Sequence, residues 1–100
     1  RNLNHLATFA ALAETGSFAA AARRLRLPTS TVSEHVAALE KNLGLQLVIR
    51  TTRRSRLTEA GQLLAQGAAR MVAGVAETLA VVEAMVEKPT GTLRLSLPFA

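Results

Sequence analysis

Small hydroxylated residues, one carboxylate and a group of arginines are the side chains of this sequence whose types and spacing suggest a chemical role. The segment LPTSTVSEHVAALEKNLG (27–44) holds Ser30, Ser33 and Glu34 within about one turn of a predicted helix. Hydroxyls bond to phosphate oxygens or base edges, and small side chains let a helix enter a major groove about 12 Å wide. The segment therefore suits contact with nucleic acid, with the positive charge supplied from elsewhere.

That positive charge lies in the first half of the chain. Up to Arg56 there are nine basic and three acidic residues, whereas the remainder holds three basic and four acidic residues of a chain with net charge +5. Such an excess favours a polyanionic partner, because phosphate neutralisation releases counterions. A solvated basic face that only aids solubility explains the charge equally well, so the arrangement of elements must decide.

Other classes of function have little support in the sequence. There is no cysteine, which excludes disulfides and thiolate metal sites and fits a reducing compartment. No second histidine or carboxylate pair completes a catalytic or metal set around His5 or His35, so we expect both at the surface or at helix ends, and no enzyme activity, metal or cofactor. No uninterrupted apolar run approaches the length of a membrane span, and the start lacks the charged and apolar regions of a signal peptide, which predicts a cytoplasmic protein without a membrane partner.

Three short helices are predicted before residue 45. The first begins at Leu3 and stops at Gly16, and the second, FAAAARRLR, is capped by Ser17. Pro28 interrupts the pattern, and a third helix is predicted over 29–43 with Gly44 as its stop. Its buried stripe is Val32, Val36, Leu39 and Leu43, which leaves Ser30, Glu34, Ala37, Ala38 and Lys41 facing outward and Ser33 and His35 on the flanks.

A basic hairpin follows the third helix. LQLVIR is typical of a short strand, TTRRS of a polar tip and RLT of a returning strand. The fold class predicted is mainly α: a winged helix-turn-helix of three helices plus a two-stranded wing over 1–58, followed by a long linker helix.

The long helix is predicted over 59–88, with Thr58 as N-cap. At about 1.5 Å per residue it is too long to lie wholly against so small a domain. Its apolar residues keep a three-four spacing, which predicts pairing with a second helix; the predicted dimer-interface residues are Leu64, Ala68, Met71, Val75, Leu79 and Val82. Gly61, Gly67 and Gly74 weaken isolated helicity, so packing must compensate. Residues 89–100 are expected to form a hinge and a strand whose partner strands are absent.

The motifs ETGSF, AAARRL, VS, LE, LG, RTTR and LTEAG, at these spacings, resemble the DNA-binding domain of LysR-type transcriptional regulators over nearly the whole chain. The resemblance implies that the chain binds a double-stranded DNA operator as a homodimer paired through the linker helix, with tetramers of the full-length regulator as a further assembly. It also implies that GTLRLSLP begins an effector-binding domain, so that a small-molecule effector would bind only in that missing part.

The resemblance also implies a set of DNA-contacting residues. Carried over by position, they are Thr29, Ser30, Ser33 and Glu34 on the third helix and Arg50, Thr51 and Arg53 on the wing; Thr31 and His35 join them on the helix, and Arg54 and Arg56 join them on charge alone. The family usually has Ser-Gln where this chain has Pro28 and Thr29, and Arg or Lys where it has Glu34. The docking is expected to be kept, whereas the family's base contacts do not transfer directly.

Three alternatives stay open at the level of sequence. Glu34 either contacts a base or closes a capping box by reaching back to the Thr31 N–H. The arginines Arg23, Arg24 and Arg26 either complement the end of the second helix or approach phosphates. The chain as a whole could be an oligomerisation module whose long helix is the working part, and a steep salt dependence of duplex binding separates this from DNA binding.

Overall fold

The computed structural model describes residues 3–50 and 55–87. Its elements, in chain order, are α1 (Leu3–Thr15), α2 (Phe18–Leu25), α3 (Thr29–Leu43), β1 (Val48–Arg50), β2 (Ser55–Leu57) and α4 (Glu59–Glu87). Three helices, a two-stranded hairpin and one long helix confirm the predicted fold class. None of the helices in the described ranges combines the length and the apolar character that crossing a bilayer requires.

Local chemistry accounts for where the first three helices begin and end. Gly16 and Gly44 follow α1 and α3 with φ of +81° and +70°, a left-handed conformation that glycine adopts without steric cost. The Ser17 hydroxyl accepts the Ala20 N–H at 2.9 Å and so caps α2. These predicted boundaries are confirmed.

The core is built around α1, which packs against α2, α3 and α4. Phe9 and Leu12 of α1, Val32 of α3 and Leu47 ahead of β1 are its largest fully buried side chains. The predicted buried stripe of α3 holds for its first three members but not for Leu43, which is 41% exposed. This residue lies in the last turn of α3, and the turn that follows, through residue 46, is exposed as well.

The wing is an antiparallel pair in the register Val48↔Leu57, Ile49↔Arg56 and Arg50↔Ser55. Strand β1 is shorter than the sequence predicts, since the chain from 45 to 47 lies outside it, whereas β2 has the predicted length and begins one residue earlier, at Ser55. The predicted tip, including Thr51, Arg53 and Arg54, lies outside the described residues.

Helix α4 begins against the wing and then continues beyond the core. The Thr58 hydroxyl accepts the Gly61 N–H at 3.0 Å, which confirms the predicted cap. Leu64 packs against the core of its own domain and Ala68 is only 3% exposed. These two predicted dimer residues therefore serve an intramolecular contact, because the first turns of α4 cover their own domain. Lys88 and the expected hinge and strand over 89–100 lie outside the described residues.

Candidate nucleic-acid interface

The turn between α2 and α3 sets the direction in which α3 leaves the core. Arg26 has φ of 59°, a left-handed conformation unusual for a residue with a side chain. Two hydrogen bonds close this turn, from the Leu27 N–H to the Ala22 carbonyl at 3.0 Å and from the Arg26 N–H to the Arg23 carbonyl at 3.3 Å. They satisfy the Ala22 and Arg23 carbonyls of α2, and α3 begins directly after Pro28, its N-cap residue.

The outer face of α3 is small and polar, as predicted from the helical period. Ser30, Glu34, Ala37 and Lys41 are exposed, as is Thr29, whereas Thr31, Ser33 and Ala38 are half-buried. The opposite face carries Val32, Val36 and Leu39 into the core. Packing of this apolar face fixes the helix on the domain, so that its small outer face is presented outward as one surface.

The capping-box alternative for Glu34 is wrong. Helix α3 begins at Thr29 with Pro28 at the N-cap, and no side chain caps this end. The Thr31 N–H, which the Glu34 carboxylate was expected to reach, donates to the Pro28 carbonyl at 3.0 Å inside the first turn. Glu34 is exposed on the outer face and is free of a capping role at Thr31.

The position of His35 differs from the expectation that it lies free at the surface or at a helix end. Its ring lies against α1, with Nδ1 hydrogen-bonded to the Thr8 hydroxyl at 2.7 Å and its centroid 4.4 Å from that of His5. Burial and the neighbouring His5 lower the pKa of His35, and Glu34 opposes this shift. The two histidines are thus brought together between helices rather than isolated at the surface. His35 belongs to the contact between α1 and α3, because Thr8 is buried and draws the imidazole inward.

Arg50 lies beside α3 and is held there by two contacts. Its Nη2 donates to the Ser33 hydroxyl at 2.9 Å, and its guanidinium carbon lies 4.0 Å from the centroid of the Phe18 ring. The predicted site residues Ser33 and Arg50 are therefore adjacent. Phe18 is the first residue of the segment FAAAARRLR, and nothing in the spacing of the sequence indicates its contact with an arginine 32 positions later.

Glu40 fixes the base of the wing, a role that the sequence analysis missed. Its Oε2 accepts the Leu47 N–H at 2.8 Å and the Val48 N–H at 3.2 Å. The Thr58 hydroxyl donates to the Gln46 carbonyl at 2.8 Å, on the other side of the same junction. A carboxylate that accepts backbone N–H groups is a strong anchor. The wing is thus tied directly to α3.

The arginines at the end of α2 have different surroundings. Arg24 forms an ion pair with Glu14 of α1, and both side chains remain more than half exposed. Arg23 and Arg26 are exposed as well. Arg23 and Arg24 lie in the last turn of α2, where positive charge complements the helix end, and contact of these arginines with phosphates stays a prediction.

The far part of α4 exposes a row of apolar side chains. Val75, Leu79 and Val82 are 55%, 52% and 49% exposed, and Met71, one turn earlier, is half-buried. Leu3 and Met71 line a groove between α1 and α4 that runs alongside this row. Small soluble domains rarely expose a contiguous apolar row of this length.

The sequence profile described as "Bacterial regulatory helix-turn-helix protein, lysR family" matches residues 3–62. The chain belongs to the LysR family. The matched region covers α1 to the beginning of α4, including α3 and both strands of the wing. The LysR-type resemblance of its motifs is thereby confirmed. This is a DNA-binding helix-turn-helix domain of transcriptional regulators rather than an enzyme.

Two curated relatives show how much of a LysR regulator the chain represents. It is 46% identical over 97 residues to the HTH-type transcriptional regulator PtxR of Pseudomonas aeruginosa, covering 97% of this chain and 31% of PtxR. It is 41% identical over 93 residues to the HTH-type transcriptional activator AaeR of Escherichia coli K12, covering 93% of this chain and 30% of AaeR. The chain spans about a third of the length of these relatives.

Solved structures share the fold, and two of the three described here are complexes with DNA. The BenM DNA-binding domain in complex with catB site 1 DNA superposes with a TM-score of 0.77 at 29% identity, covering 87% of this chain and 98% of that chain. The CbnR DNA-binding domain in complex with DNA gives a TM-score of 0.72 at 31% identity, covering 87% of this chain and all of that one. Oxidised OxyR of Corynebacterium glutamicum gives 0.76 at 33% identity, covering 81% of this chain and 26% of that chain.

Proposed function

We propose that this chain binds double-stranded operator DNA in a sequence-specific manner, as one half of a two-fold dimer. The observation that carries the proposal is the exposed, small and polar face of α3, set on a LysR domain whose fold matches domains solved in complex with DNA. Helix α3 enters the major groove, and the wing contacts the backbone or the adjacent minor groove.

The first turns of α3 supply contacts of two kinds. Thr29, Ser30, Thr31 and Ser33 offer hydroxyls to phosphates or base edges. The carboxylate of Glu34 is repelled by phosphates and lowers affinity for random DNA. It gains a partner only where a donor faces it, and the usual partner of a carboxylate in the major groove is the cytosine N4 amino group. Glu34 thus increases discrimination between DNA sequences and lowers the affinity for random DNA.

The wing supplies affinity. The proposed contacts are Thr51, Arg53 and Arg54, and Arg56 of β2 is an exposed arginine on the same hairpin. Arginines on a hairpin follow the phosphate backbone or enter the minor groove, and such contacts act on all sequences alike. Arg50, which lies beside Ser33, adds positive charge next to α3.

The proposed dimer forms through α4. A second copy of α4 would cover Met71, Val75, Leu79 and Val82, and the groove lined by Leu3 would receive side chains from it. Two-fold pairing places two α3 helices on successive turns of the duplex, which requires half-sites about 34–36 Å or a multiple of this apart.

For the longer regulator we propose the following organisation. Residues 1–58 form the DNA-binding domain, 59–88 the dimerisation helix and 89–100 a hinge into an effector-binding domain. That domain would bind a small-molecule effector and could assemble tetramers. The regulator would act in the cytoplasm on its operator.

Salt-dependent binding to duplex DNA tests the proposed function against a pure oligomerisation module. We expect the logarithm of the binding constant to fall with the logarithm of salt with a slope of about −0.9 per phosphate contacted, so several contacts give a slope of several units. The exposed row on α4 also fits an oligomerisation module, which would form dimers and show no binding to duplex. That second outcome would reject the DNA-binding proposal.

A further inference from the structure

Three side chains from three different elements meet beside the outer face of α3. Phe18 opens α2, Ser33 lies in the second turn of α3 and Arg50 ends β1. The Arg50 guanidinium lies over the Phe18 ring at 4.0 Å and donates through Nη2 to the Ser33 hydroxyl at 2.9 Å. Hereafter this set is called the Phe18–Arg50–Ser33 triad.

The chemistry of the two polar groups gives their hydrogen bond one direction. A guanidinium carries five N–H donors and no acceptor, whereas a hydroxyl has one donor and two lone pairs. The Ser33 oxygen must therefore accept from Arg50. One lone pair is occupied, and the hydroxyl proton is left to point away from the guanidinium.

Phe18 supports the Arg50 guanidinium from one side. Its ring packs against the core cluster, so it is a fixed platform rather than a mobile surface group. A planar guanidinium over an aromatic face is held by cation–π attraction and by stacking, which an ammonium group does not reproduce in the same geometry. The ring therefore limits the directions from which Nη2 reaches Ser33.

We propose, on the basis of the DNA-binding function proposed above, that Phe18 and Arg50 are positioning residues that present Ser33 as a hydrogen-bond donor. The partner of Ser33 is then an acceptor atom of DNA: purine N7, guanine O6, thymine O4 or a phosphate oxygen. The cytosine N4 amino group, a donor, is disfavoured at that place. Without the triad, the Ser33 hydroxyl rotates freely and accepts from cytosine as readily as it donates.

A double-mutant cycle on base preference tests the positioning role. Base preference and salt slope are measured on duplexes selected from random DNA by the wild-type chain, then for Arg50→Lys, Ser33→Ala and the double variant. Arg50→Lys keeps the charge but loses the fork and the stack. We expect an unchanged salt slope and a loss of about threefold to tenfold, the size of one hydrogen bond, in discrimination if the acceptor is a base and in affinity for every sequence if it is a phosphate. With Ser33→Ala already present, Arg50→Lys should change discrimination less than about twofold.

Two further variants separate orientation from charge. Phe18→Leu keeps an apolar side chain and should reproduce the loss of discrimination caused by Arg50→Lys, again without changing the salt slope. Arg56→Ala removes an exposed arginine of β2 paired across the hairpin with Ile49, and should leave discrimination unchanged. A loss confined to one base pair of each half-site identifies a base acceptor. A loss of affinity that is equal for all sequences, and that disappears when one phosphate is replaced by a neutral methylphosphonate, identifies a phosphate acceptor.

The outcomes separate the inference from the proposed function. Wild-type protein that selects no sequence from random DNA overturns both. Wild-type protein that selects a sequence, with additive effects of Arg50→Lys and Ser33→Ala, overturns the positioning role alone. A readout without DNA completes the test: ring current from Phe18 should shift the Arg50 side-chain proton resonances upfield in the free protein, and Phe18→Leu should abolish the shift. Identical Arg50 resonances in both proteins contradict the triad.

Discussion

Replacing Gly61 by alanine tests the junction between the wing and α4. A Cβ at this position would lie 2.2 Å from the Leu47 carbonyl oxygen and 3.3 Å from the Leu57 Cβ. Ordinary carbon contacts need about 3.5 Å, so α4 and the chain before β1 must separate by roughly 1 Å. The same carbonyl accepts the Thr58 N–H at 3.0 Å, and this hydrogen bond is strained by the movement.

Two opposing effects set the magnitude for Gly61→Ala. Alanine in a helix interior gains about 1 kcal/mol over glycine. Overpacking costs about 1–3 kcal/mol, and a weakened backbone hydrogen bond costs about 0.5–1.5 kcal/mol. The steric effects exceed the gain, so we expect the free energy of unfolding to fall by about 1–3 kcal/mol.

Gly67→Ala is the matched control, because the nearest atom to its added Cβ is the Arg70 Nη2 at 3.8 Å, an ordinary contact. This variant should gain up to about 1 kcal/mol. Urea denaturation followed by circular dichroism, at one protein concentration because a dimer's stability depends on it, measures both variants. Equal stability of Gly61→Ala and Gly67→Ala would refute the close approach of Leu47 to α4.

Three further predictions concern stability and assembly. Glu40→Ala leaves two backbone N–H groups at the base of the wing without their acceptor and should lower the free energy of unfolding in urea titrations by about 1–3 kcal/mol. Glu40→Gln should recover part of this loss, and wild-type stability of Glu40→Ala would contradict the anchoring role of Glu40. Because the pKa of His35 is lowered from 6.5, the folded state binds fewer protons than the unfolded state, and the free energy of unfolding should fall as the pH drops below 6.5. This fall should be smaller in His35→Gln, and equal pH profiles of the two proteins would contradict a lowered pKa of His35. Leu79→Glu should convert a dimer to monomers in sedimentation experiments and weaken DNA binding, whereas a wild-type monomer at tens of micromolar would exclude the α4 dimer.

Features with a local cause could be predicted from the sequence. Gly16 and Gly44 end helices because a left-handed residue is needed directly after each, and Pro28 separates α2 from α3 because its ring restricts the residue before it. The outer face of α3 follows from its period alone. Each of these features depends on residues within one or two turns of one another, which is the range that sequence patterns describe.

Features that depend on contacts between distant segments could not be predicted. Glu40 anchors β1 across a turn, and its spacing to Leu47 has no periodic signature. His35 looked like a flank residue, yet Thr8 and His5 of α1 draw its ring inward. Ala68 continued the apolar row of α4, but whether a helix buries a residue against its own domain or a second copy depends on where the helix crosses the core.

The left-handed Arg26 shows a different limit. A glycine is expected in this conformation, and a side chain there costs about 1–2 kcal/mol. Arginine at this position gave no signal that a tight turn was required. The hydrogen bonds of Leu27 and Arg26 to the preceding turn, together with packing of α2 and α3, maintain the conformation.

Selection of binding sites from random duplex DNA by this chain and by its Glu34→Gln variant is the sharpest test of sequence-specific binding through α3. We expect the wild-type chain to select a two-fold symmetric sequence. Glu34→Gln should bind random DNA more tightly, because a charge that repels phosphate is removed, and should lose discrimination at one base pair of each half-site. Failure of the wild-type chain to enrich any sequence would contradict specific DNA binding, and unchanged base preference in the variant would remove Glu34 from the contact surface.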